Sequence, residues 1–216
     1  MVLNIAMDGP VGAGKSSIAR AVADRLGILH LDTGAMYRAV GLSAIRAGVD
    51  LQDEAAVTAH TKAIDVSVAH AEGGQRTIVN GEDLTDFIRT PEVSMAASTV
   101  GKYAGVRREM VAIQQKLAAS TPMLVDGRDI CVRVLPNATV KLFLTASAEE
   151  RARRRWLEMT AKGDTTPLPL YSRLTMMTPL DIGSIPQIHS KQPQEVIGSS
   201  RIEYKVTDST APWVAS

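Results

Sequence analysis

Short, almost wholly apolar runs alternate along the chain with longer segments whose apolar residues recur at helical spacing. Runs of this kind are typical of strands that are buried on both faces, as in a parallel sheet. The runs lie at residues 2–7, 28–31, 123–125 and 139–144. The helical segments lie at residues 15–26, about 35–47, 53–63, 91 onward, 106–119 and 147 onward. This alternation predicts an α/β fold with a central parallel sheet flanked by helices.

The pattern changes after residue 63. Residues 64–68 and 76–79 alternate apolar with polar side chains, and glycine-containing turns follow them at residues 72–75 and 80–81. These features predict a small β-rich insert. Residues 164–193 hold five prolines and no clear periodicity, which favours a lid or a disordered segment.

We therefore predict a single domain, residues 1–216, that is built from consecutive parts. The parts are a core segment (1–62), the β-rich insert (63–90), helices and core strands (91–160), a lid (161–193) and a terminal core segment (194–216). A last sheet strand is expected at residues 196–200.

The composition is that of an ordinary globular protein and argues against several classes of function. Of 216 residues, 45% are hydrophobic and 22% are charged, and the net charge is +1. This charge favours neither nucleic acid nor a membrane surface as a partner, and no apolar run is long enough to span a bilayer. The single Cys131 excludes an internal disulfide and a cysteine-based zinc site, and it is typical of a reducing, cytoplasmic compartment. We expect a monomer.

The segment between the first strand and the first helix has the spacing G-x-x-x-x-G-K-S of a phosphate-binding loop. Glycines allow backbone N–H groups to converge on phosphate oxygens, and the helix N-terminus adds partial positive charge. Lys15 supplies a full positive charge to the β- and γ-phosphates, and the Ser16 hydroxyl is suited to bind Mg²⁺. The predicted site for a nucleoside triphosphate consists of Gly9, Pro10, Val11, Gly12, Ala13, Gly14, Lys15, Ser16 and Ser17.

Three further clusters have both a functional and a structural interpretation. Arg38 follows residues 32–34, Asp-Thr-Gly, at a strand end, and is either part of a second phosphate site or a surface arginine. Residues 126–129, Asp-Gly-Arg-Asp, end a core strand and form either a ligand site or a structural ion pair. The third cluster is a helix that carries four arginines, which either line a solvated face or include one that approaches a transferring phosphate. They are Arg151, Arg153, Arg154 and Arg155.

The four histidines show no spacing that is typical of a metal site, and we assign them no role.

Together, several of these runs resemble the bacterial cytidylate kinases, which transfer a phosphoryl group from ATP to CMP or dCMP. The resemblance covers about residues 3–163. It implies a three-layer P-loop fold in which the β-rich insert serves the acceptor, and it implies ATP and Mg²⁺ as cofactors. The matching runs are residues 7–17, 31–38, 79–83, 85–94, 96–98, 106–107, 126–130, 143–147 and 149–152.

The resemblance also implies roles for individual residues. It places Thr33, Arg38 and Arg128 at the acceptor phosphate. It places Ser98, Arg107 and Asp129 at the cytosine edge, where a carboxylate accepts from the exocyclic amine and repels a uracil carbonyl. Asp126 lies in the same motif, near the acceptor. The expected catalytic residues are Lys15, Arg128 and Arg154, which act by positioning and charge neutralisation.

The chain departs from the family at two places. Cys131-Val132-Arg133 stands after Ile130, where the family usually has small residues. The family's lid carries an Arg-Asp-x-x-Asp-x-x-Arg run, whereas Arg173 is followed by Leu-Thr-Met-Met-Thr-Pro-Leu at residues 174–180. If the Leu174 codon ends in G, a one-base change of frame near Arg173 can restore the family's run, and we hypothesise that such a change separates this chain from its relatives. With the lid charges absent, we expect nucleotide binding with strongly reduced turnover.

Other functions remain open. The chain is alternatively a P-loop kinase of another small acceptor such as shikimate or gluconate, or a catalytically weak nucleotide-binding protein. A nucleotide-dependent switch is disfavoured because no Asn-Lys-x-Asp run, which would bind guanine, is present.

Overall fold

The computed structural model describes residues 2–161, 163, 165, 167, 195–197 and 200–206. Most of the predicted lid (161–193), including Arg173 and residues 174–180, lies outside the described residues. The structure therefore does not test the hypothesis of a changed frame.

The described chain alternates strands and helices, and its fold class is the predicted α/β class. The strands are β1 (Asn4–Asp8), β2 (Leu29–Asp32), β3 (Val66–Ala71), β4 (Gly74–Val79), β5 (Glu82–Asp83), β6 (Met123–Asp126), β7 (Val140–Thr145), β8 (Glu195–Ile197) and β9 (Ser200–Val206). The helices are α1 (Lys15–Leu26), α2 (Thr33–Arg46), α3 (Glu54–Ala63), α4 (Pro91–Val100), α5 (Ala104–Ser120) and α6 (Ala148–Thr160), with a π-helix at Ile130–Val134. No helix in these parts of the chain combines the length and the apolarity that crossing a bilayer requires.

The chain forms two compact units. The first consists of Met1–Asn4 and Arg20–Asp126, and the second of Ile5–Ala19 and Gly127–Ser216. The domain boundaries expected from the sequence at residues 62, 90, 160 and 193 stay a prediction.

In the first unit, β2 and β6 pair in parallel, with Leu29 opposite Met123 and Asp32 opposite Asp126. The predicted insert forms a separate antiparallel sheet in the order β3-β4-β5. The long apolar face of α2 is buried, including Met36 and Val40 at 0% exposure. Helix α2 begins at Thr33, two residues earlier than expected, because the Asp32 side chain caps it.

In the second unit, β1 and β7 pair in parallel, with Asp8 opposite Phe143. Strand β9 runs antiparallel to β7, and β8 runs antiparallel to β9. The single strand expected at residues 196–200 is therefore wrong in extent, because two strands, β8 and β9, occupy this part of the chain. Ile202, Tyr204 and Val206 alternate with polar residues, which is a sequence signal for the strand β9. We missed this signal because we searched for continuous apolar runs.

Gly105 determines how closely α5 approaches α3. A Cβ atom at this position would lie 2.9 Å from the Cβ of Thr58 and would also overlap both of its terminal side-chain atoms. Because the Thr58 Cβ itself is too near, a rotamer change of Thr58 does not relieve the overlap.

We predict that Gly105→Ala destabilises the fold by about 1–3 kcal/mol, although alanine favours a helix by ~1 kcal/mol over glycine. Urea unfolding measures the change. The matched control is Gly105→Ala combined with Thr58→Ala, which removes the two terminal atoms of Thr58 but keeps its Cβ at 2.9 Å, so it should restore part of the lost stability. A single variant as stable as the wild type would show that α3 and α5 separate at little cost.

Candidate functional site

The predicted phosphate-binding loop lies in the second unit, between the end of β1 at Asp8 and the start of α1 at Lys15. Gly9, Gly12 and Gly14 have φ angles of 149°, 79° and 95°. Residues other than glycine rarely adopt such angles. A Cβ on Gly9 would also overlap the Leu144 carbonyl oxygen on β7. The loop therefore depends on glycine for both its backbone conformation and its close contact with the sheet.

The first residues of α1 place polar groups at the helix N-terminus. Lys15 is half-buried, and its Nζ donates to the Pro10 carbonyl at 3.0 Å, so the ammonium group folds back over the loop. Ser16 and Ser17 are exposed. Backbone N–H groups, an ammonium and the helix dipole together suit an anion such as a triphosphate.

Two arginines of α6, Arg151 and Arg154, donate hydrogen bonds to carbonyl groups of the loop. The Arg154 Nη1 atom donates to the Ala13 carbonyl at 2.9 Å, and its Nε donates to Glu150 at 2.9 Å. Arg151 is only 7% exposed and donates to the Val11 carbonyl at 3.3 Å. A Cβ on Gly12 would lie 3.1 Å from the Arg151 Cβ, so helix and loop are in close contact.

Sequence reasoning assigned a role to Arg154 and named Arg151 only as a member of the arginine cluster. The spacing of three residues between them, which places both on one helix face, was the available signal. Arg155 instead pairs with Glu158 at 3.0 Å on the outer side of the helix. The predicted capping residue Ser147 accepts from the Glu150 N–H at 3.1 Å.

Asp8 is a residue that sequence reasoning overlooked. Its side chain is 2% exposed and accepts from two consecutive N–H groups, Ile130 at 2.8 Å and Cys131 at 2.9 Å. Burial raises the pKa of Asp8, although these two donors act in the opposite direction. The contacts attach the end of β1 to the segment that directly follows Arg128 and Asp129.

Arg128 and Asp129 lie in the second unit, just before the π-helix. Arg128 is exposed. Asp129 is half-buried, and its Oδ2 lies 3.8 Å from the Nε of Arg133, which stands where the family usually has a small residue. Burial raises the pKa of the Cys131 thiol, so this cysteine is not a ready nucleophile near neutral pH.

In the first unit, Thr33 and Arg38 lie on the first turns of α2. The Thr33 hydroxyl donates to the Asp126 carbonyl at 2.8 Å. Asp32 accepts from the Ala35 N–H at 3.0 Å through one carboxylate oxygen and from Arg38 Nη2 at 3.0 Å through the other. A Cβ on Gly34 would lie 3.1 Å from the Asp32 Oδ1 and 3.3 Å from Arg38, so glycine makes room for this arrangement.

The Arg38 guanidinium retains an unused donor. Its Nε is buried and has no hydrogen-bond partner within the part of the chain that the structure describes. A buried unsatisfied donor is costly, and an oxygen-rich anion would satisfy it.

The Asp126 carboxylate is 3% exposed and lies 3.2 Å from the Nε2 of His30. His30, to which we assigned no role, therefore has one: it is the side-chain partner of a predicted site residue. The pair joins neighbouring strands β2 and β6, so no spacing of residues along the sequence predicts it.

Ser98 and Arg107 also belong to the first unit. Ser98 is exposed on α4 and donates to the Ser94 carbonyl at 3.1 Å. Arg107 is half-buried in the first turn of α5 and donates to the Gly101 carbonyl at 3.4 Å. The first unit thus holds Thr33, Arg38, Ser98, Arg107 and Asp126, and the second holds the loop, Arg128, Asp129 and Arg154.

Among the described residues, no group of three or more His, Cys, Asp and Glu side chains is arranged to hold a metal ion. Mg²⁺ usually keeps several waters and binds through one or two protein oxygens plus substrate phosphates. The exposed Ser16 hydroxyl at the start of α1 fits that role.

Comparison with known proteins identifies close relatives. Residues 5–172 match the family model of cytidylate kinase. Over 161 residues the chain is 49% identical to a cytidylate kinase of Caldicellulosiruptor bescii, which covers 74% of this chain and 71% of the relative. It is 53% identical over 163 residues to a cytidylate kinase of Bacillus licheniformis, covering 74% and 72%. It is 47% identical over 161 residues to that of Bacillus subtilis, covering 74% and 72%.

The environment of Asp8 predicts a pH dependence of stability. Because burial raises the pKa of Asp8 above its ordinary value of 3.8, the folded state holds this proton more tightly than the unfolded state does. The contribution of Asp8 to stability is then fully present below pH 3.8 and is lost as the pH rises through the folded-state pKa.

We therefore expect the free energy of unfolding of the wild type, minus that of Asp8→Asn, to fall as the pH rises from about 3 to about 7. Asparagine does not titrate, so the subtraction cancels the other ionisable groups. Denaturant unfolding at a series of pH values measures the difference. A rise with pH would mean that the two N–H donors outweigh burial.

Proposed function

Since the chain belongs to the cytidylate kinase family, we propose that it transfers the γ-phosphoryl group of ATP to CMP or dCMP, yielding ADP and CDP or dCDP. The observation that carries this proposal is the glycine loop at residues 9–14, which has three glycines at positive φ and is followed directly by Lys15 at the start of α1. Phosphoryl transfer requires positioning and charge neutralisation more than covalent chemistry, and this loop is suited to both.

On the donor side, the loop N–H groups and Lys15 would bind the β- and γ-phosphates of ATP. Arg154 donates to the Ala13 carbonyl, and this contact fixes the loop. It also places the positive charge of Arg154 next to the loop. Mg²⁺, bound through the Ser16 hydroxyl and phosphate oxygens, would supply further charge neutralisation.

On the acceptor side, Thr33, Arg38 and Arg128 would bind the CMP phosphate. The buried Nε of Arg38 supports this assignment, because it is a donor for which the described residues supply no acceptor. Ser98, Arg107 and Asp129 would bind cytosine, with the Asp129 carboxylate accepting from its exocyclic amine. A uracil carbonyl at that point would be repelled, so the site would select cytosine.

The two alternatives rank lower. A kinase of shikimate or gluconate is not favoured by the match to the cytidylate kinase model over residues 5–172. A catalytically weak protein remains part of the proposal, because residues 174–180 supply none of the lid charges and the family match ends just before Arg173. Sequencing the gene around the Arg173 codon tests the changed frame, which fails if no single-base gain or loss restores the arginine and aspartate run.

A monomeric state and a cytoplasmic location belong to the same proposal. The single cysteine is buried and in no disulfide, which supports a reducing compartment.

We predict that the protein forms ADP from ATP only when CMP or dCMP is present, at a low rate because residues 174–180 lack charged side chains. Lys15→Met should lower this rate at least about a hundredfold, because it removes the charge at the transferred phosphate. A coupled assay of ADP release measures both rates.

The matched control is Lys116→Met, the same substitution at an exposed position on α5, which should leave the rate unchanged. A rate of ADP release that does not depend on CMP, or that is unchanged in Lys15→Met, would contradict the proposed reaction.

A further inference from the structure

Gln75 reaches out of the β-rich insert to the backbone at the end of β2. It is half-buried near the start of β4. Its Oε1 accepts from the Asp32 N–H at 2.8 Å, and its Nε2 donates to the Asp32 carbonyl at 3.3 Å and to the Thr77 hydroxyl at 3.1 Å. One side chain thus binds both backbone groups of a residue 43 positions away.

Asp32 is the residue that orients the start of α2. Through its two carboxylate oxygens it caps α2 at Ala35 and pairs with Arg38, and it directly precedes Thr33. A small rotation of the Asp32 backbone would therefore change the direction of the Arg38 guanidinium, which has no other ion-pair partner in the described chain.

We propose that Gln75 is a positioning residue for the acceptor: through Asp32 it fixes Arg38 and Thr33, so that the β-rich insert sets the affinity for the acceptor phosphate. The inference rests on the proposed function for the identity of that acceptor. Gln75 itself does not need to touch the nucleotide.

The chemistry of the side chain explains why an amide is needed. A carboxamide carries a donor and an acceptor at neighbouring atoms, which matches the N–H and C=O groups of one residue. Methionine has a similar length but provides neither group, so it would leave the Asp32 N–H without its acceptor. Gln75→Met therefore removes the contact while largely conserving volume.

The control is Arg76→Ala, at the next position of the same strand. Arg76 pairs with Asp83 at 2.7 Å and Asp86 at 3.6 Å, both within the insert. Its loss weakens the insert and leaves the contact between Gln75 and Asp32 in place.

Calorimetric titration of the full chain with CMP and, separately, with ATP tests the inference. Gln75→Met should weaken CMP binding by about tenfold and change ATP binding less than about twofold. Arg76→Ala should leave both affinities near the wild-type values. Hydrogen exchange supplies a readout independent of nucleotide: the Ala35 amide, which Asp32 caps, should exchange faster in Gln75→Met and not in Arg76→Ala.

Each outcome separates the inference from the function on which it rests. Wild-type protein that binds no CMP would overturn the proposed function and the inference together. Wild-type protein that binds CMP, with Gln75→Met binding it equally well, would overturn the inference alone. Equal losses in Gln75→Met and Arg76→Ala would also overturn it, because they would show a general effect of insert stability.

Discussion

The loop between Asp8 and Lys15 depends on a backbone that only glycine tolerates. Three of its glycines have positive φ angles, and one of them, Gly9, lies against the β7 backbone. A segment this rich in glycine loses much conformational entropy on folding, so it needs support from its surroundings. The arginines of α6 provide it by donating to the Val11 and Ala13 carbonyl groups. The anion binding that we propose at the loop depends on this fixed backbone.

Strand-end carboxylates serve as anchors in both units. Asp8 ends β1 and accepts from Ile130 and Cys131, and Asp32 ends β2 and accepts from Ala35. Each carboxylate directly precedes a segment that carries predicted phosphate-binding groups. N–H groups that hold a carboxylate form short, charge-assisted hydrogen bonds, which fix the chain direction more firmly than a neutral pair does. The same kind of contact thus fixes the strand end before the glycine loop in one unit and orients Arg38 in the other.

The order of strands and helices was predictable because it depends on local signals. Apolar runs, glycines after α1 and α2, and the caps at Ser147 and Thr90 all act within a few residues. The phosphate-binding loop was predictable for the same reason. The extents of β8 and β9 were not predicted correctly, and their antiparallel direction was not predicted, since pairing depends on distant partners.

The contacts that support the candidate site could not be predicted from the sequence, because they also join residues that are far apart along the chain. Asp8 meets Ile130 across 122 positions, and His30 meets Asp126 across 96. A buried aspartate and a half-buried glutamine have no periodicity that reveals a partner, and only the fold brings the groups into contact. Resemblance to a family supplied candidate residues, but it gave no role to Arg151 or to Gln75, which contact the candidate site.

The central claim is that the chain binds a cytosine nucleotide as acceptor and a nucleoside triphosphate as donor. Calorimetric titration of the wild-type protein with CMP, dCMP, UMP and AMP, at saturating non-hydrolysable ATP analogue, tests it most directly. The account predicts that CMP or dCMP binds at least about tenfold more tightly than UMP and AMP. Equal affinities for all four nucleotides, or binding of none, would contradict it.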